Sequence, residues 1–183
     1  MRTGILLVGP RGSGKSTWAA SLVQQHPEVL VFNRDKFFAA NFPNGFDPYT
    51  NQLSYACELY WKSVSDAIGD RLSGTFVLDY FTGYERARRT LVKEVLRGKL
   101  GLDVVYAHVL LTSRTRTIQQ YVERERIKQS GLNAACAAHD YDLFWKETGD
   151  IFPLGECKQC TFDAVRLIDP DDPQLVLPWM PLL

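Results

Sequence analysis

The residues with the clearest chemical potential form the segment GPRGSGKST, which runs from Gly9 to Thr17. Its first eight residues fit the pattern G-x-x-x-x-G-K-[ST], in which glycines let successive backbone N–H groups point towards one anion. In this pattern the ammonium group of Lys15 can reach the β- and γ-phosphates of a nucleotide, and the hydroxyl group of Ser16 can bind Mg²⁺. The candidate phosphate-binding residues are Gly9, Pro10, Arg11, Gly12, Ser13, Gly14, Lys15, Ser16 and Thr17. The segment predicts that the chain binds a nucleoside triphosphate.

Two carboxylates are predicted to lie close to this loop. Asp35 follows the apolar run 29–32, and Asp79 follows the apolar run 75–78. If both runs are parallel strands, their carboxyl ends meet at one edge of the sheet, where such folds bind their ligands. A carboxylate beside the γ-phosphate can accept the proton of an attacking hydroxyl group, and we expect Asp35 to do so. Asp79 is expected to orient Mg²⁺ or its water, or to form a hydrogen bond with the substrate, with a purely structural role as the alternative.

The elements that must position these residues alternate along the chain. Short apolar runs typical of buried strands are separated by amphipathic segments typical of helices. The strand-like runs are Ile5–Val8, Val29–Phe32, Thr75–Leu78, Val104–Leu111 and Ala164–Ile168. The helical segments are Lys15–Gln25, Leu53–Leu72, Gly83–Arg97 and Arg116–Gln129, while residues 37–50 predict an ordered loop. The pattern predicts an α/β fold with a five-stranded parallel sheet flanked by helices.

Length and composition limit the classes of protein that fit. The 183 residues are 45% hydrophobic and 23% charged, which is typical of one globular domain over residues 1–183. No apolar run approaches the roughly 18–20 residues that a membrane helix needs, so we expect no membrane association. Four cysteines without an export signal indicate a reducing compartment, and we expect a cytoplasmic protein, in the host cytoplasm if the source is viral.

The formal charge is zero overall but is unevenly distributed. Residues 80–128 contain eleven Lys and Arg against five Asp and Glu, whereas residues 129–183 contain three against nine. A protein that binds a polyanion needs a positive surface only where the polyanion lies. The basic central segment therefore leaves a nucleic-acid partner open, and solvated helix faces are the alternative explanation.

The N-terminal part of the chain resembles a known family. The sequence GSGKSTWA at 12–19, Pro27, and Asn33-Arg34-Asp35 after a short strand are similar to the N-terminal kinase domain of phage-type polynucleotide 5′-kinases. The resemblance is specific up to residue 36, weaker over residues 75–128 and absent beyond about residue 130. It implies a P-loop kinase fold, ATP as the phosphate donor, Mg²⁺ as the metal, and a nucleic acid as the acceptor, with DNA favoured over RNA.

The same resemblance implies roles for individual side chains. Asp35 would be the general base, and Lys15 and Ser16 would hold the phosphates and the metal. Basic residues of the fourth predicted helix would clamp the transferring phosphoryl group, with Arg124 as the first candidate and Arg126 as the second. Planar guanidinium groups suit phosphoryl oxygens, although both arginines also fit an exposed helix face paired with neighbouring glutamates. The expected substrate-side residues are Arg34, Phe38, Asp79, Tyr80 and Arg86.

One position departs from the family pattern. The family has an arginine three residues after the base, where it holds the phosphodiester beside the acceptor hydroxyl, whereas this chain has Phe38. An aromatic ring cannot bind phosphate but can stack on a base. A related phage group phosphorylates 5-hydroxymethyluracil within DNA, and in such an enzyme several aromatic residues would sandwich an extruded base. The candidates are Phe37, Phe38, Phe42, Tyr80 and Phe81, with packing in the core as the alternative.

Four residues in the last third of the chain have the spacing of a zinc site. Cys136 and His139 are separated by two residues, as are Cys157 and Cys160. Three thiolates and one imidazole can form a closed tetrahedral Zn²⁺ site. We therefore expect a structural Zn²⁺ that pins residues 130–160 as a small lid insertion, with buried thiols and a surface histidine as the alternative.

Three functions are open on this sequence. The favoured one is an ATP-dependent kinase that phosphorylates a hydroxyl group of a nucleic acid, either a polynucleotide 5′-OH or the hydroxymethyl group of 5-hydroxymethyluracil in DNA. The second is a small-metabolite or nucleoside kinase of the same fold. The third is a nucleotide-gated ATPase or binding module, in which hydrolysis switches a partner contact through the apolar tail 176–183. The oligomeric state is left open.

Overall fold

The structure, a computed structural model, describes residues 1–46, 50–80, 85–127, 131–148, 162–169 and 180–181. The strands are β1 (Arg2–Val8), β2 (Leu30–Asn33), β3 (Gly74–Asp79), β4 (Val104–Leu110) and β5 (Ala164–Ile168). They form a parallel sheet in the order β2-β3-β1-β4-β5, and a two-residue strand β6 (Met180–Pro181) pairs antiparallel with β5. The five-stranded parallel sheet expected from the sequence is confirmed.

Helices cover both faces of this sheet. They are α1 (Lys15–Gln25), α2 (Arg34–Asn41), α3 (Gln52–Ile68), α4 (Glu85–Thr90), α5 (Arg114–Ile127) and α6 (Ala134–Thr148). Helix α4 continues directly into a π-helical segment, Leu91–Lys99, where the N–H of Leu100 donates to the carbonyl oxygen of Val95, five residues back, at 2.9 Å. Within the described ranges, none of the helices is long and apolar enough to cross a membrane.

Helix α2 is the main difference from the sequence-based expectation. Residues 37–50 were expected to form a loop, but the first five of them continue a helix that starts at Arg34. The cause is Asn33, whose Oδ1 accepts a hydrogen bond from the backbone N–H of Lys36 at 2.7 Å and so caps the helix. The carboxylate of Asp35 in the first turn also suits the positive end of the helix dipole.

The core lies on the two faces of the sheet because successive strand residues point in opposite directions. Leu6 and Val8 of β1 pack with side chains of α3, of the π-helical segment and of α6, whereas Ile5 and Leu7 pack with α1 on the opposite face. Leu6, Leu7 and Val8 have no solvent exposure. Coverage on both faces explains why these strands are continuous apolar runs rather than alternating ones.

The register of the strands decides which residues meet at the ligand edge. Asn33 at the end of β2 is paired with Asp79 at the end of β3. Strand β1 lies between β3 and β4, and the loop that follows it starts at Gly9. The carboxyl ends of β1, β2 and β3 therefore bring the loop, Asn33 and Asp79 to one edge of the sheet.

Candidate active site

The loop after β1 turns tightly at its glycines. Gly12 and Gly14 have φ angles of +84° and +87°, which glycine adopts without strain. A Cβ atom at position 12 would also overlap the carbonyl oxygen of Thr117 on α5, so the loop and α5 touch there. Because α1 starts at Lys15, its first unpaired N–H groups face the same space.

The ammonium group of Lys15 lies inside this loop. Its Nζ donates hydrogen bonds to the carbonyl oxygens of Gly9 at 2.7 Å and Pro10 at 2.9 Å. Burial is the main cause that lowers the pKa of Lys15 to about 8. The positive charges of Arg124 and Arg11 act in the same direction, whereas the carboxylates of Asp79 and Asp35 oppose it. A triphosphate placed in the loop would favour the protonated form of this amine.

The affinity for a triphosphate is expected to fall as the pH rises through about 8, because the free protein then loses the positive charge of Lys15. With this pKa, roughly one tenth of the amine stays protonated one unit above it, so the loss between pH 7 and pH 9 is up to about tenfold. Calorimetric titration with a non-hydrolysable ATP analogue at both pH values measures this, with proton uptake on binding near pH 8. Lys15→Met should bind weakly and without this pH dependence; the same pH profile in that variant would contradict the assignment.

Ser16, Asp79 and Asn33 form a hydrogen-bonded cluster beside the loop. The Ser16 hydroxyl donates to Oδ2 of Asp79 at 2.6 Å, and Nδ2 of Asn33 donates to the same oxygen at 2.6 Å and to Ser16 Oγ at 3.3 Å. Asp79 is only 8% exposed, and these donors compensate for the burial of its charge. A hydroxyl oxygen and a carboxylate oxygen this close together are ligands of the type that Mg²⁺ prefers, so the residues present fit that ion.

Asp35 and Arg34 lie across from this cluster, at the start of α2. The Asp35 side chain is 83% exposed, and its Oδ1 accepts hydrogen bonds from Nε and Nη2 of Arg34 at 3.3 and 3.1 Å. The guanidinium group of Arg34 lies 4.8 Å from the ring centroid of Tyr80 and 5.5 Å from that of Phe38. These two rings hold Arg34 in place while leaving the carboxylate of Asp35 open to solvent.

One cavity of about 390 Å³ joins these groups. Its lining residues are Arg11, Gly12, Ser13, Gly14, Lys15, Ser16, Thr17, Arg34, Asp35, Asp79, Gln120 and Arg124. The structure thus brings together the phosphate loop, both expected carboxylates and the first of the two candidate arginines on α5. Gly9 and Pro10 take part through their carbonyl oxygens, which hold Lys15.

Two of the expected arginines do not line this cavity. Arg126 is 75% exposed and forms an ion pair with Glu123 of the preceding turn at 2.8 Å. Arg86 is exposed on α4. The assignments of both residues to the site therefore stay predictions without a contact to support them.

The aromatic residues expected to hold a base pack mostly on one another. The ring of Phe38 lies 5.1 to 6.4 Å from those of Phe42, Phe46, Tyr60 and Phe37, in edge-on arrangements. Tyr80 similarly lies 5.1 Å from Trp61, and Phe81 is outside the described residues. Phe37 and Phe38 are half-buried against the core, which is the packing alternative stated above. Stacking of a base on Phe38 stays a prediction.

Two polar residues of the site had no role in the sequence-based interpretation. Asn33 was noted only as part of the sequence before Asp35, although asparagine before a helical segment is a recognisable capping signal. Tyr121 on α5 accepts a hydrogen bond at its hydroxyl from Nη1 of Arg11 at 3.0 Å, and Arg124 lies over its ring. No sequence signal could have linked Tyr121 to Arg11, because 110 residues separate them.

The candidate zinc ligands are only partly within the described residues. Cys136 and His139 lie one turn apart on the exposed side of α6, and Cys157 and Cys160 fall outside the described ranges. Across the residues that the structure describes, no group of three or more His, Cys, Asp or Glu side chains could hold a metal ion. The zinc site stays a prediction: elemental analysis is expected to find about one zinc per purified chain. Metal-free protein that retains its fold would contradict it.

Part of the basic excess of the central segment is used in internal ion pairs. Arg97 pairs with Asp163 at 2.7 Å and Arg114 with Asp142 at 2.8 Å, so basic residues of segment 80–128 meet acidic residues of segment 129–183. Arg88 is buried. The uneven charge along the sequence is therefore partly balanced in the fold, and the cationic groups nearest the candidate site are those of its cavity.

The fold and the loop define a P-loop protein with a kinase-type sheet, and comparison with known proteins agrees. A family model described as an AAA domain matches residues 5–141, which is most of the chain. The chain therefore belongs to this AAA domain family of P-loop proteins. Among curated proteins, no sequence matches it.

Solved structures share the fold at low sequence identity. A protein of Chloroflexus aurantiacus described as a candidate kinase has a TM-score of 0.60 and 15% identity, over 96% of this chain and 88% of that one. A fungal RNA kinase has a TM-score of 0.58 and 15% identity, over 92% and 74% of the two chains. A chain of the Pnkp1/Rnl/Hen1 RNA repair complex has a TM-score of 0.59 and 17% identity, over 78% and 44%. These similarities establish a P-loop kinase fold.

Proposed function

We propose that this chain is a kinase that transfers the γ-phosphate of Mg·ATP to a hydroxyl group of a nucleic acid. The observation that carries this proposal is that a solvent-exposed carboxylate, Asp35, lines the same cavity as Lys15 and Ser16. Transfer to an alcohol requires a proton acceptor beside the γ-phosphate, and an open carboxylate in this cavity can act as one. Hydrolysis would use the same carboxylate to activate water, so the acceptor assay below distinguishes the two reactions.

The chemistry follows from the side chains of the cavity. The oxygen of the acceptor hydroxyl group attacks the γ-phosphorus while Asp35 accepts the proton of that hydroxyl group. The bond between the γ-phosphorus and the bridging oxygen breaks, and ADP leaves. Lys15 and the loop N–H groups stabilise the negative charge on the phosphate oxygens. Ser16 and Asp79 would hold Mg²⁺, which neutralises charge on the same oxygens when bound. Arg124 approaches the cavity from α5 and suits the equatorial oxygens of the phosphoryl group in transfer.

A nucleic-acid acceptor is supported by the position of Arg34. The family pattern has an arginine at the position of Phe38, and here the guanidinium group of Arg34 lies 5.5 Å from the Phe38 ring while also lining the cavity. Arg34 therefore places a cation next to position 38, where the family has its arginine. It can bind a phosphodiester next to the acceptor hydroxyl, as the arginine of the family does. The similarity in fold to RNA kinases agrees with this acceptor class.

Incubation with γ-labelled ATP and a set of acceptors tests the proposal. The set comprises DNA and RNA oligonucleotides with 5′-OH ends, DNA containing 5-hydroxymethyluracil, free nucleosides and nucleoside 3′-monophosphates. We expect label on at least one oligonucleotide, and better labelling of nucleoside 3′-monophosphates than of nucleosides, because Arg34 binds the phosphate. Label on free nucleosides alone, or ATP hydrolysis with no labelled acceptor, would overturn the nucleic-acid proposal. The DNA and RNA arms decide between those two substrates.

A small-metabolite kinase is the second candidate, and the internal ion pairs favour it. Arg97, Arg114 and Arg126 are each paired with a carboxylate, so they offer little net positive charge to a polyanion. Steep salt dependence of the reaction would support a nucleic acid, because its binding releases counterions. A rate that is insensitive to salt would support a small acceptor.

Arg124 is expected to matter more for transfer than Arg126. Arg124→Ala should lower kcat by roughly 10–10³-fold, because a cavity-lining guanidinium group that stabilises transition-state charge is lost. Arg126→Ala should have a much smaller effect, since its guanidinium group is engaged with Glu123 on the exposed face of α5. Steady-state kinetics of both variants measure this, with Lys62→Ala on α3 as the control for loss of a surface cation. A larger effect at Arg126 would reverse the assignment.

A further inference from the structure

Tyr121 lies on the side of α5 that contacts the phosphate loop, and it is 5% exposed. Its Cβ atom is close to the backbone at Gly12, where a larger residue would not fit. The ring of Tyr121 is therefore buried beside the loop rather than mobile at the surface. A side chain fixed in this way can serve as a reference point for more flexible neighbours.

The hydroxyl group of Tyr121 joins the loop to α6. It accepts a hydrogen bond from Nη1 of Arg11 at 3.0 Å and donates one to Oδ2 of Asp140 at 3.2 Å. The hydrogen bond to Tyr121 uses one of the five N–H donors of the Arg11 guanidinium group. The other donors remain for a ligand, because Arg11 lines the cavity. The hydrogen bond to Tyr121 and the nearby charge of Asp140 also raise the pKa of Arg11.

The ring of Tyr121 holds a second cation. The guanidinium carbon of Arg124 lies 5.3 Å from the ring centroid, within the range in which a cation is attracted to an aromatic face. Arg11 and Arg124 both line the cavity that contains Lys15, so these three positive charges repel one another. The carboxylates of Asp35 and Asp79 in the same lining offset part of this repulsion. Tyr121 contacts both arginines, and Arg124 also forms an ion pair with the neighbouring Glu125 at 3.4 Å.

We propose that Tyr121 is a positioning residue that holds Arg11 by its hydroxyl and Arg124 by its ring, so that both guanidinium groups face the triphosphate before it binds. This inference rests on the proposed function, because it gives Tyr121 a part in binding the phosphate donor. Because Tyr121 also bonds to Asp140 of α6, the affinity for the nucleotide depends on a residue that does not line the cavity. Positioning in advance strengthens binding because the side-chain ordering cost is met before the ligand arrives.

The test measures the affinity for the non-hydrolysable ATP analogue AMP-PNP with Mg²⁺, by calorimetry and without any acceptor. Tyr121→Phe keeps the ring and removes only the hydroxyl, so the affinity should fall by roughly threefold to tenfold. Asp140→Ala should lower it in the same direction from outside the cavity. Tyr55→Phe, at an exposed tyrosine of α3, is the matched control and should bind the analogue as the unmodified protein does.

A double-mutant cycle separates positioning from a structural role. In an Arg11→Ala background, Tyr121→Phe should have almost no further effect on affinity, because its hydroxyl acts through Arg11. Unchanged affinity in Tyr121→Phe, or the same fold-loss with and without Arg11, would overturn the proposal, whatever happens to thermal stability. Since the titration uses no acceptor, its result stands even if the acceptor assays show that the proposed nucleic-acid substrate is wrong.

Discussion

Replacing Asp35 by asparagine is expected to lower the rate of phosphoryl transfer by roughly 10²–10⁴-fold while leaving ATP affinity nearly unchanged. The amide has the shape of the carboxylate and can still accept a hydrogen bond from Arg34, but it cannot take the proton of the acceptor hydroxyl. The side chain is 83% exposed at the mouth of the cavity, so its removal should not disturb the core. Single-turnover transfer from labelled ATP measures the chemical step, and calorimetry measures nucleotide affinity.

The control for this variant is Asp66→Asn on α3. Asp66 is also an exposed helical carboxylate in an ion pair, with Lys62 at 2.7 Å, but it does not line the cavity. The Asp66→Asn variant should transfer phosphate at the same rate as the unmodified protein. A loss smaller than about tenfold in Asp35→Asn would mean that another group accepts the proton, since general-base catalysis contributes more than that. A parallel loss of ATP affinity would instead make Asp35 a binding residue.

Replacing Lys15 by methionine is expected to reduce both nucleotide affinity and transfer, the latter by at least roughly 10²-fold. Methionine fills similar space but removes the positive charge that faces the phosphates. The effect should be large because the ammonium group lies within the loop, where charge interactions are less screened than at the surface. The affinity is measured with AMP-PNP and the rate with the acceptor that the labelling assay identifies.

Lys62→Met provides the matched control for Lys15→Met, because Lys62 is an exposed lysine whose ion pair lies on α3. Such surface pairs contribute little, so neither affinity nor rate should change. Thermal unfolding of Lys15→Met checks that the loop survives without the two hydrogen bonds that Lys15 donates to it. If Lys15→Met is folded and still transfers phosphate at the normal rate, Lys15 has no role in the transfer reaction.

The clearest divergence between sequence and structure lies in residues 37–41. The mixture of aromatic and turn residues indicated a loop, and the aromatic side chains were assigned to a base pocket or to the core. A capping hydrogen bond from Lys36 N–H to Asn33 marks the start of a helix, which sets Phe38 and Phe42 on one side. The rings of Phe38, Phe42 and Phe46 pack on one another, and Arg34 lies over Phe38. Local pattern missed the helix because a segment this short is stabilised mainly by packing, and Phe37 and Phe38 pack against the core.

The phosphate loop was predictable because its geometry is local. Its glycines and Lys15 all lie within Gly9–Thr17, and its strand and helix follow from the residues on either side. The five parallel strands were predictable for a similar reason, since helices on both faces of the sheet favour a continuous apolar run in each strand. The run is present even in the edge strand β2, which is only partly buried. The sequence also indicated that Asp35 and Asp79 end up near the loop, because parallel strands share one carboxyl edge.

The contacts that organise the site came only from the tertiary structure. Asn33 meets Asp79 because β2 and β3 pair in one register out of several that the sequence allows, and Tyr121 meets Arg11 because α5 packs on the glycines of the loop. The pairing of Arg114 with Asp142 likewise cancels charges that look separated along the chain. Interactions between distant residues depend on packing that no local pattern encodes, whereas turns, caps and strand burial leave their marks in neighbouring residues.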